Sequence, residues 1–248
     1  MRIVCESCMH RCSLGNGQRG ICRARKNENG RIICENYGMV TSLALDPIEK
    51  KPLKRFRSGS MILSVGSYGC NLRCPFCQNH EISMIDGETA EETVGAVYLS
   101  PEWLANKATE CREERNIGVA FTYNEPLVGW EYVRDTAKLV KEAGMDNVLV
   151  TNGSASLGVL EEILPYIDAM NIDLKGFRAD YYKKLGGDLE TVKRFIAHAV
   201  RDCHVELTTL IVPGENDRLE EMEAEAEWIA SLGREIPLHV SRFFPQFH

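Results

Sequence analysis

Three cysteines on one short stretch are the residues of this sequence best suited to chemistry. Cys70, Cys74 and Cys77 fall within eight residues, directly after the short apolar run at residues 61–66. Three thiolates are one ligand short of a closed tetrahedral zinc site, but they can hold a four-iron cluster by three corners and leave one iron open. An open iron is a place where a ligand can bind and react.

Two simpler interpretations of these thiols remain open at this point. His80 lies three residues beyond Cys77, so the three cysteines and this histidine have the donor set of a Cys3His zinc site. A disulfide is the other alternative, and it requires an oxidising compartment.

Composition narrows the class of protein. The chain has 248 residues, of which 44% are hydrophobic and 26% charged, as in an ordinary soluble globular protein of one domain with at most a small appendage. The sequence has no N-terminal signal core and no apolar run of the roughly 18 residues that a membrane span needs. We therefore expect a cytoplasmic protein without membrane contact. A net charge of −7 argues against a general nucleic-acid binder.

The first 34 residues form a second cysteine-rich region. Cys5, Cys8, Cys12 and Cys22 are separated by glycine-rich sequence that can bury little apolar surface by itself. Clustered cysteines in a reducing compartment indicate a metal more often than disulfides, and metal binding would supply the missing stability. Four thiols suffice for zinc, which we favour slightly, or for an auxiliary iron–sulfur cluster. Whether Cys34 is a further ligand is not decided by the sequence.

The rest of the chain alternates strand and helix. Short apolar runs that suit buried parallel strands recur from residue 61 onward, with helical stretches between them. The predicted strands are Met61–Gly66, Ile117–Thr122, Asn147–Thr151, Ala169–Asp173, Val205–Ile211 and Leu238–Ser241. The alternation predicts an α/β fold with a parallel sheet and right-handed crossovers over residues 59–248, preceded by a cysteine-rich module and connector at 1–58. Six such strands resemble a partial (β/α)6 barrel like a TIM barrel. No sixth covering helix is expected after the last strand.

Polar side chains follow the predicted strands at the end where barrel enzymes place their functional groups. Asn124 and Glu125 come just after the second strand, and a carboxylate there could accept hydrogen bonds from an ammonium group. Asp173 and Lys175 alternate with apolar residues at the end of the fourth strand and so project to one face. His239 on the sixth strand shares the predicted layer. Charges inside a barrel are better explained by a polar site than by core packing.

A basic run, residues 50–57, precedes the first barrel strand. A six-residue strand spans roughly 20 Å, so the run begins at the opposite end of that strand from the cysteine loop. A solvated or substrate-facing connector is therefore favoured over a docking site for an electron donor.

Motifs spread over most of the chain resemble those of the radical S-adenosylmethionine (SAM) enzymes of the AmmeMemoRadiSam system, which are related to glycyl-radical-enzyme activases such as pyruvate formate-lyase activating enzyme. The motifs are CESCMHRC (5–12), GICRAR (20–25), DPIEKKPL (46–53), GCNLRCPFCQN (69–79), TYNEP (122–126), NIDLKGF (171–177) and HVSRFFP (239–245). The resemblance favours an iron–sulfur cluster over the zinc and disulfide alternatives, and it also implies the partial barrel.

The resemblance further implies the cofactors and their ligands. The thiols that it assigns to a [4Fe-4S] cluster are Cys70, Cys74 and Cys77, and the open iron of that cluster would chelate SAM. The residues that it places around SAM are Asn124, Glu125, Asp173, Lys175 and His239. Reductive cleavage of SAM would give a 5′-deoxyadenosyl radical that takes hydrogen from a substrate.

Two departures from the activase pattern stand out. The activases commonly have Gly-Gly-Glu-Pro where this chain has Tyr123-Asn124-Glu125-Pro126, and family members usually continue beyond the point where this sequence ends.

The resemblance leaves the substrate open. One hypothesis is activation of a glycyl-radical enzyme, which makes that enzyme a partner alongside a one-electron donor such as flavodoxin or ferredoxin. The alternatives are radical modification of another protein, RNA or small molecule, or a zinc-stabilised binding protein without catalysis.

Overall fold

The computed structural model describes residues 2–85, 90–245 and 247, and these contain thirteen strands and eight α-helices. The strands are β1 (Ile3–Val4), β2 (Ser13–Leu14), β3 (Arg25–Glu28), β4 (Arg31–Cys34), β5 (Met39–Val40), β6 (Ser42–Pro47), β7 (Met61–Gly66), β8 (Val97–Tyr98), β9 (Asn116–Phe121), β10 (Asp146–Thr151), β11 (Ala169–Asp173), β12 (His204–Ile211) and β13 (Leu238–Arg242). The helices are α1 (His80–Ser83), α2 (Ala90–Val94), α3 (Pro101–Glu110), α4 (Trp130–Glu142), α5 (Leu157–Ile163), α6 (Ala179–Lys184), α7 (Leu189–Ala199) and α8 (Leu219–Leu232). Short 3-10 helices cover Ile48–Lys50, Cys111–Glu114, Pro126–Gly129 and Leu164–Tyr166.

One seven-stranded sheet organises the protein, in the order β13-β12-β11-β10-β9-β7-β6. The six strands from β7 to β13 in this sheet run parallel, and each pairs with its neighbour in sequence order, which is the arrangement of a partial α/β barrel. The predicted fold class is confirmed. All six predicted strands are present with ends shifted by at most one residue, and β11 has the predicted bounds.

The seventh strand, β6, lies within the predicted connector and pairs antiparallel with β7 from Ser42↔Gly66 to Pro47↔Met61. The chain then turns into the barrel, where Ile48 and Leu53 are fully buried in a cluster of barrel-interior side chains. The connector therefore adds a strand to the sheet and fills the end of the barrel where the parallel strands begin. It does not run free over the barrel surface.

Helices cover the outer face of the sheet, and their apolar sides form the main core with it. Two local features show how particular residues determine where a helix begins and how closely two strands approach. Helix α3 begins with Pro101 after Ser100, whose Oγ accepts a hydrogen bond from the Trp103 backbone N–H. Strands β9 and β10 approach closely at Gly118, where an added Cβ would stand 1.7 Å from the Asp146 carbonyl oxygen.

The N-terminal region consists of short two-stranded pairs, β1 with β2 and β3 with β4, joined by turns. It packs on the barrel through an isolated bridge between Cys8 and Ala155 and through a hydrogen bond from the Met9 N–H to the Ser154 carbonyl. The loop after β10 is therefore the platform for this module. Among the described residues, no helix combines the length and the apolar composition of a membrane span.

Candidate active site

The three clustered cysteines lie on the loop that leaves β7. Cys70, Cys74 and Cys77 all line one cavity of about 370 Å³ at the carboxyl end of the sheet. The loop is tightly wound there, since the Cys77 N–H donates to the Cys74 carbonyl at 3.2 Å and the Leu72 N–H donates to the Cys70 sulfur at 3.4 Å. The structure thus brings the three predicted ligands to a common wall.

The environment of Cys70 and Cys74 disfavours the charged form of their thiols. Burial raises the pKa of Cys70 well above its ordinary value, and the negative charge of Glu125 adds to this effect. Burial likewise raises the pKa of Cys74 to about 11, against the opposing charge of Lys175. A thiol must be deprotonated to bind a metal, so these ligands need the positive charge of the iron to become thiolates.

Asn124 acts as a clamp on the cysteine loop. Its side-chain amide donates to the carbonyls of Tyr68 at 3.1 Å and Gly69 at 3.0 Å, and its Oδ1 accepts from the Ser67 N–H at 3.1 Å. These contacts join the turn after β9 to the three residues that precede Cys70. Asn124 also lines the cavity, and its predicted contact with SAM stays a prediction.

Glu125 lies at the base of the same cavity and is 2% exposed. Its carboxylate accepts hydrogen bonds from the Leu127 N–H, the Thr151 hydroxyl at 2.7 Å and the Asn152 N–H at 2.8 Å. Burial raises its pKa to about 7, although these donors lower it. A carboxylate offers about four acceptor sites, so one remains for a cationic ligand group.

Asp173 and Lys175 form an ion pair that lines the same cavity, with 2.9 Å between Lys175 Nζ and Asp173 Oδ2. Burial alone would lower the pKa of Lys175, but Asp173 and the nearby Cys74 raise it well above its ordinary value. The predicted inward projection of both side chains is what the structure shows, and the pair is oriented toward the cysteine loop.

The imidazole of His239 takes a different direction. The backbone register places His239 beside Thr208, which in turn pairs with Asp173, so the predicted shared layer exists. However, His239 Nε2 lies 2.6 Å from a carboxylate oxygen of Glu206, a fully buried residue that also accepts from the backbone of the connector. Ser241, two residues further on, lines the cavity instead. The predicted role of His239 at SAM stays a prediction without a contact to support it.

The N-terminal thiols are gathered in one region. The sulfurs of Cys12 and Cys22 both lie within 3.8 Å of the point where a Cβ on Gly20 would stand. Burial raises the pKa of Cys22 to about 11, and the charges of Cys8 and Cys5 contribute to this shift. The fifth N-terminal thiol is Cys34, whose sulfur lies 3.1 Å from Asn36 Oδ1 and which also interacts electrostatically with Cys22.

This region rests directly on the active-site loop. His10 Nε2 lies 2.8 Å from the carbonyl of Asn71, the residue after Cys70. Burial raises the pKa of Cys8, while hydrogen bonds from the His10 backbone and the Asn71 side chain oppose the shift. The side-chain amide of Asn152 then donates to Asn71 Oδ1 at 2.8 Å and approaches the Cys70 sulfur at 3.8 Å. The two cysteine clusters are therefore connected through Asn71.

His80, the alternative fourth ligand, is engaged elsewhere. Its Nδ1 lies 3.3 Å from the Cys77 carbonyl, and its ring stacks on Phe247 with 3.9 Å between the ring centroids. The structure therefore gives no support to a Cys3His zinc site.

The prediction that the basic run begins at the far end of the first barrel strand from the cysteine loop is wrong for its first two residues, whose side chains reach the cavity and form a lateral wall with Tyr123. Lys50, Lys51 and Tyr123 line the cavity, and Asp46 holds all three through its carboxylate. The signals available were the DPIEKKPL motif and the tyrosine that replaces a glycine of the activase pattern.

Comparison with known proteins identifies the family. The family model described as the radical SAM superfamily matches residues 64–229. The chain belongs to the radical SAM superfamily.

Individual relatives share different parts of the chain. The uncharacterized protein MJ0808 of Methanocaldococcus jannaschii is 39% identical over 99% of this chain and 72% of its own length. The pyruvate formate-lyase-activating enzyme of Clostridium pasteurianum is 32% identical over 48% of each chain, so this chain spans about half of that relative. The crystal structure of Streptococcus suis SuiB bound to S-adenosylmethionine has a TM-score of 0.55 at 12% identity, covering 71% of this chain and 39% of SuiB, and shows the fold alone.

A radical SAM enzyme uses a [4Fe-4S] cluster and SAM, and the donor set of the cavity fits both. In the described part of the chain, no three His, Cys, Asp or Glu side chains converge as ligands of a single metal ion. A four-iron cluster bound by three cysteines takes each thiolate on a different iron, so its ligands surround a cluster and need not converge on one atom. Three cavity-lining thiols suit that requirement, and the buried Glu125 suits the ammonium group of SAM.

Proposed function

We propose that the protein cleaves SAM reductively and uses the resulting radical to abstract hydrogen from a substrate. The observation that carries the proposal is the single cavity that brings together three thiols, a buried carboxylate and an ion pair at the carboxyl ends of the strands. When bound, the reduced cluster and SAM supply methionine and a 5′-deoxyadenosyl radical, which takes a hydrogen atom.

The side chains of this cavity have separate tasks in the proposal. Cys70, Cys74 and Cys77 hold three corners of the cluster. Glu125 accepts a hydrogen bond from the ammonium group of SAM with its free acceptor site, while Asp173 and Lys175 provide hydrogen-bonding groups of both signs in the same cavity. These groups replace solvent around a charged ligand inside the barrel and fix its orientation.

The proposed substrate is a glycyl residue of a partner enzyme. The similarity to pyruvate formate-lyase-activating enzymes supports it, since the Clostridium pasteurianum relative is 32% identical over the matched region. Radical modification of another protein, RNA or small molecule is the second candidate, because the chain has Tyr123 where the activases commonly have glycine. A one-electron donor such as flavodoxin or ferredoxin is the other proposed partner.

We also propose that Cys5, Cys8, Cys12 and Cys22 bind a second metal centre, either zinc or an iron–sulfur cluster. The grouping of these thiols supports a centre, and four thiols suffice for either metal. Iron and zinc counts of the Cys8→Ala variant decide the metal. That variant should lose one zinc ion or about four iron atoms. An unchanged metal content would refute the second centre.

Anaerobic reconstitution followed by iron, zinc and sulfide counts, with a dithionite assay for 5′-deoxyadenosine, tests the main proposal. The wild-type protein should form 5′-deoxyadenosine, and Cys74→Ala should lose about four iron atoms and all turnover. The matched control is Cys203→Ala, because Cys203 contacts the Ala199 carbonyl on α7 and lies outside the cavity. A colourless protein that holds two zinc ions and leaves SAM intact would overturn the enzymatic proposal.

A further inference from the structure

A buried lysine on the cavity wall is not among the residues proposed to hold the cluster or SAM. Lys51 is 2% exposed and lines the same cavity as the three thiols. Its Nζ donates to Asp46 Oδ2 at 2.9 Å and stands 4.7 Å from the centroid of the Tyr123 ring. An ammonium group has three N–H donors, and the described part of the chain accepts one of them, at Asp46. The other two are available to a ligand in the cavity.

The charges of this wall do not cancel. Lys50 Nζ donates to the second oxygen of Asp46 at 3.0 Å, so two lysines share one carboxylate. Burial alone would raise the pKa of Asp46, but its bonds from Lys51, Tyr123 and Lys50 hold that pKa well below its usual range. Elsewhere in the cavity, Lys175 is balanced one to one by Asp173. The lateral wall therefore carries one formal positive charge in excess, on the mostly exposed Lys50, and it presents the spare N–H donors of the buried Lys51 to the cavity.

Tyr123 stabilises this wall from a strained backbone conformation. Its φ angle is +74°, in the left-handed region that residues with side chains rarely adopt. Its hydroxyl donates to Asp46 Oδ2 at 2.8 Å, and its ring lies so close to Gly66 that a Cβ there would stand 2.8 Å from Tyr123 Cδ2. Asn79 fixes the strained peptide by donating to the Tyr123 carbonyl at 2.7 Å. Backbone strain of this kind persists only where surrounding contacts enforce it, and strained residues cluster at functional sites.

We propose that Lys50 and Lys51, held by Asp46 and Tyr123, bind an anionic group of the substrate, either a carboxylate or a phosphate. The inference rests on the proposed radical function and deepens it by naming a property of the substrate. A peptide glycine has no charge of its own, so an anion site favours a substrate that carries an acidic group over a bare glycyl backbone. Tyr123 is then a positioning residue, because it orients the lysines through Asp46 and does not itself carry charge.

Anion binding to the reconstituted holoenzyme tests this inference. SAM is bound first, so that its own carboxylate occupies its place in the cavity and the added anion cannot bind there. Inorganic phosphate and acetate are then titrated separately by isothermal calorimetry. We expect one saturable site per chain for at least one of them, and the anion that binds more tightly identifies the acidic group. Lys51→Met should weaken that binding at least tenfold, and Lys50→Met should weaken it several-fold.

The matched control is Lys54→Met, since Lys54 is an exposed lysine of the same basic run that does not line the cavity. It should bind the anions as the wild type does. Lys50 is mostly exposed, so Lys50→Met keeps the test decisive if Lys51→Met fails to fold. Wild-type protein that binds neither anion, or lysine variants that bind as tightly as Lys54→Met, would overturn the inference. Formation of 5′-deoxyadenosine is measured on the same wild-type preparation, so failure of the radical function is seen separately.

Discussion

Removing the amide of Asn124 should loosen the loop that carries the cluster ligands. In Asn124→Ala, the carbonyls of Tyr68 and Gly69 lose the amide of residue 124, although the Asn36 amide still donates to Tyr68, and the Ser67 N–H loses its acceptor. Each neutral hydrogen bond contributes about 1 kcal/mol net, so the loss is about 3 kcal/mol. For a domain of this size, 1 kcal/mol corresponds to a shift of about 2–4 °C in Tm, so the variant should melt roughly 6–12 °C lower.

Calorimetric melting of the metal-free chain under anaerobic reducing conditions measures this shift. Iron content after reconstitution measures the consequence for the cluster, and it should fall because the loop no longer presents its thiols in one arrangement. Asn106→Ala is the control, because Asn106 is an exposed residue of α3 and its replacement by alanine favours the helix. A variant at position 124 that keeps its Tm and iron but binds SAM more weakly would refute the clamp and favour a direct contact with SAM.

Two further predictions concern the pH dependence of SAM binding and the packing of the sheet. The affinity for SAM should rise roughly tenfold from pH 6 to pH 8, because Glu125, with a pKa of about 7, must lose its proton to accept an ammonium group. The SAM amine titrates in the same pH range, so SAM binding is also measured by calorimetry on Glu125→Gln, and the difference between the two proteins gives the contribution of Glu125. If the affinity for SAM changes with pH equally in both proteins, Glu125 does not have this role. Gly118→Ala should destabilise the protein by about 3 kcal/mol or more in urea unfolding, since its Cβ would overlap the Asp146 carbonyl. Gly158→Ala on α5, where no atom lies within 4 Å of the new Cβ, should be neutral or stabilising; similar losses in both variants would show that the strand contact is unimportant.

The barrel could be predicted because its strands are marked locally. The apolar core of β11 runs from Ala169 and ends at polar Asp173, so the sequence itself indicates both bounds. The cluster loop could be predicted equally well, since its three thiols are close in sequence and can be recognised without knowledge of the fold. Strand β6 could not be found this way, because Asp46 and Pro47 are unfavourable in a strand and its pairing with β7 comes from a long connector.

At the site, the sequence predicts which layer of the sheet a residue occupies, but it does not predict in which direction the side chain points. The pattern of β13 placed His239 in the layer of Asp173, and the register agrees, but the imidazole turns to Glu206. Glu206 is a buried acceptor on another strand, and its attraction for a histidine is invisible in the sequence of β13. The burial of Lys51 could not be predicted either, since no feature of the local sequence distinguishes one buried lysine from its exposed neighbours in a basic run.

The contact between the N-terminal module and Asn71 has a consequence for how the protein matures. Residues up to 25 are synthesised before the barrel, and in the folded protein they contact the loop around Cys70, through His10 and the close approach of the Cys22 carbonyl to Gly69. The module thus serves as a template on which the later site is assembled. If the proposed N-terminal metal centre stabilises this module, chains that lack that metal are expected to load less iron at Cys70, Cys74 and Cys77, although those ligands are intact.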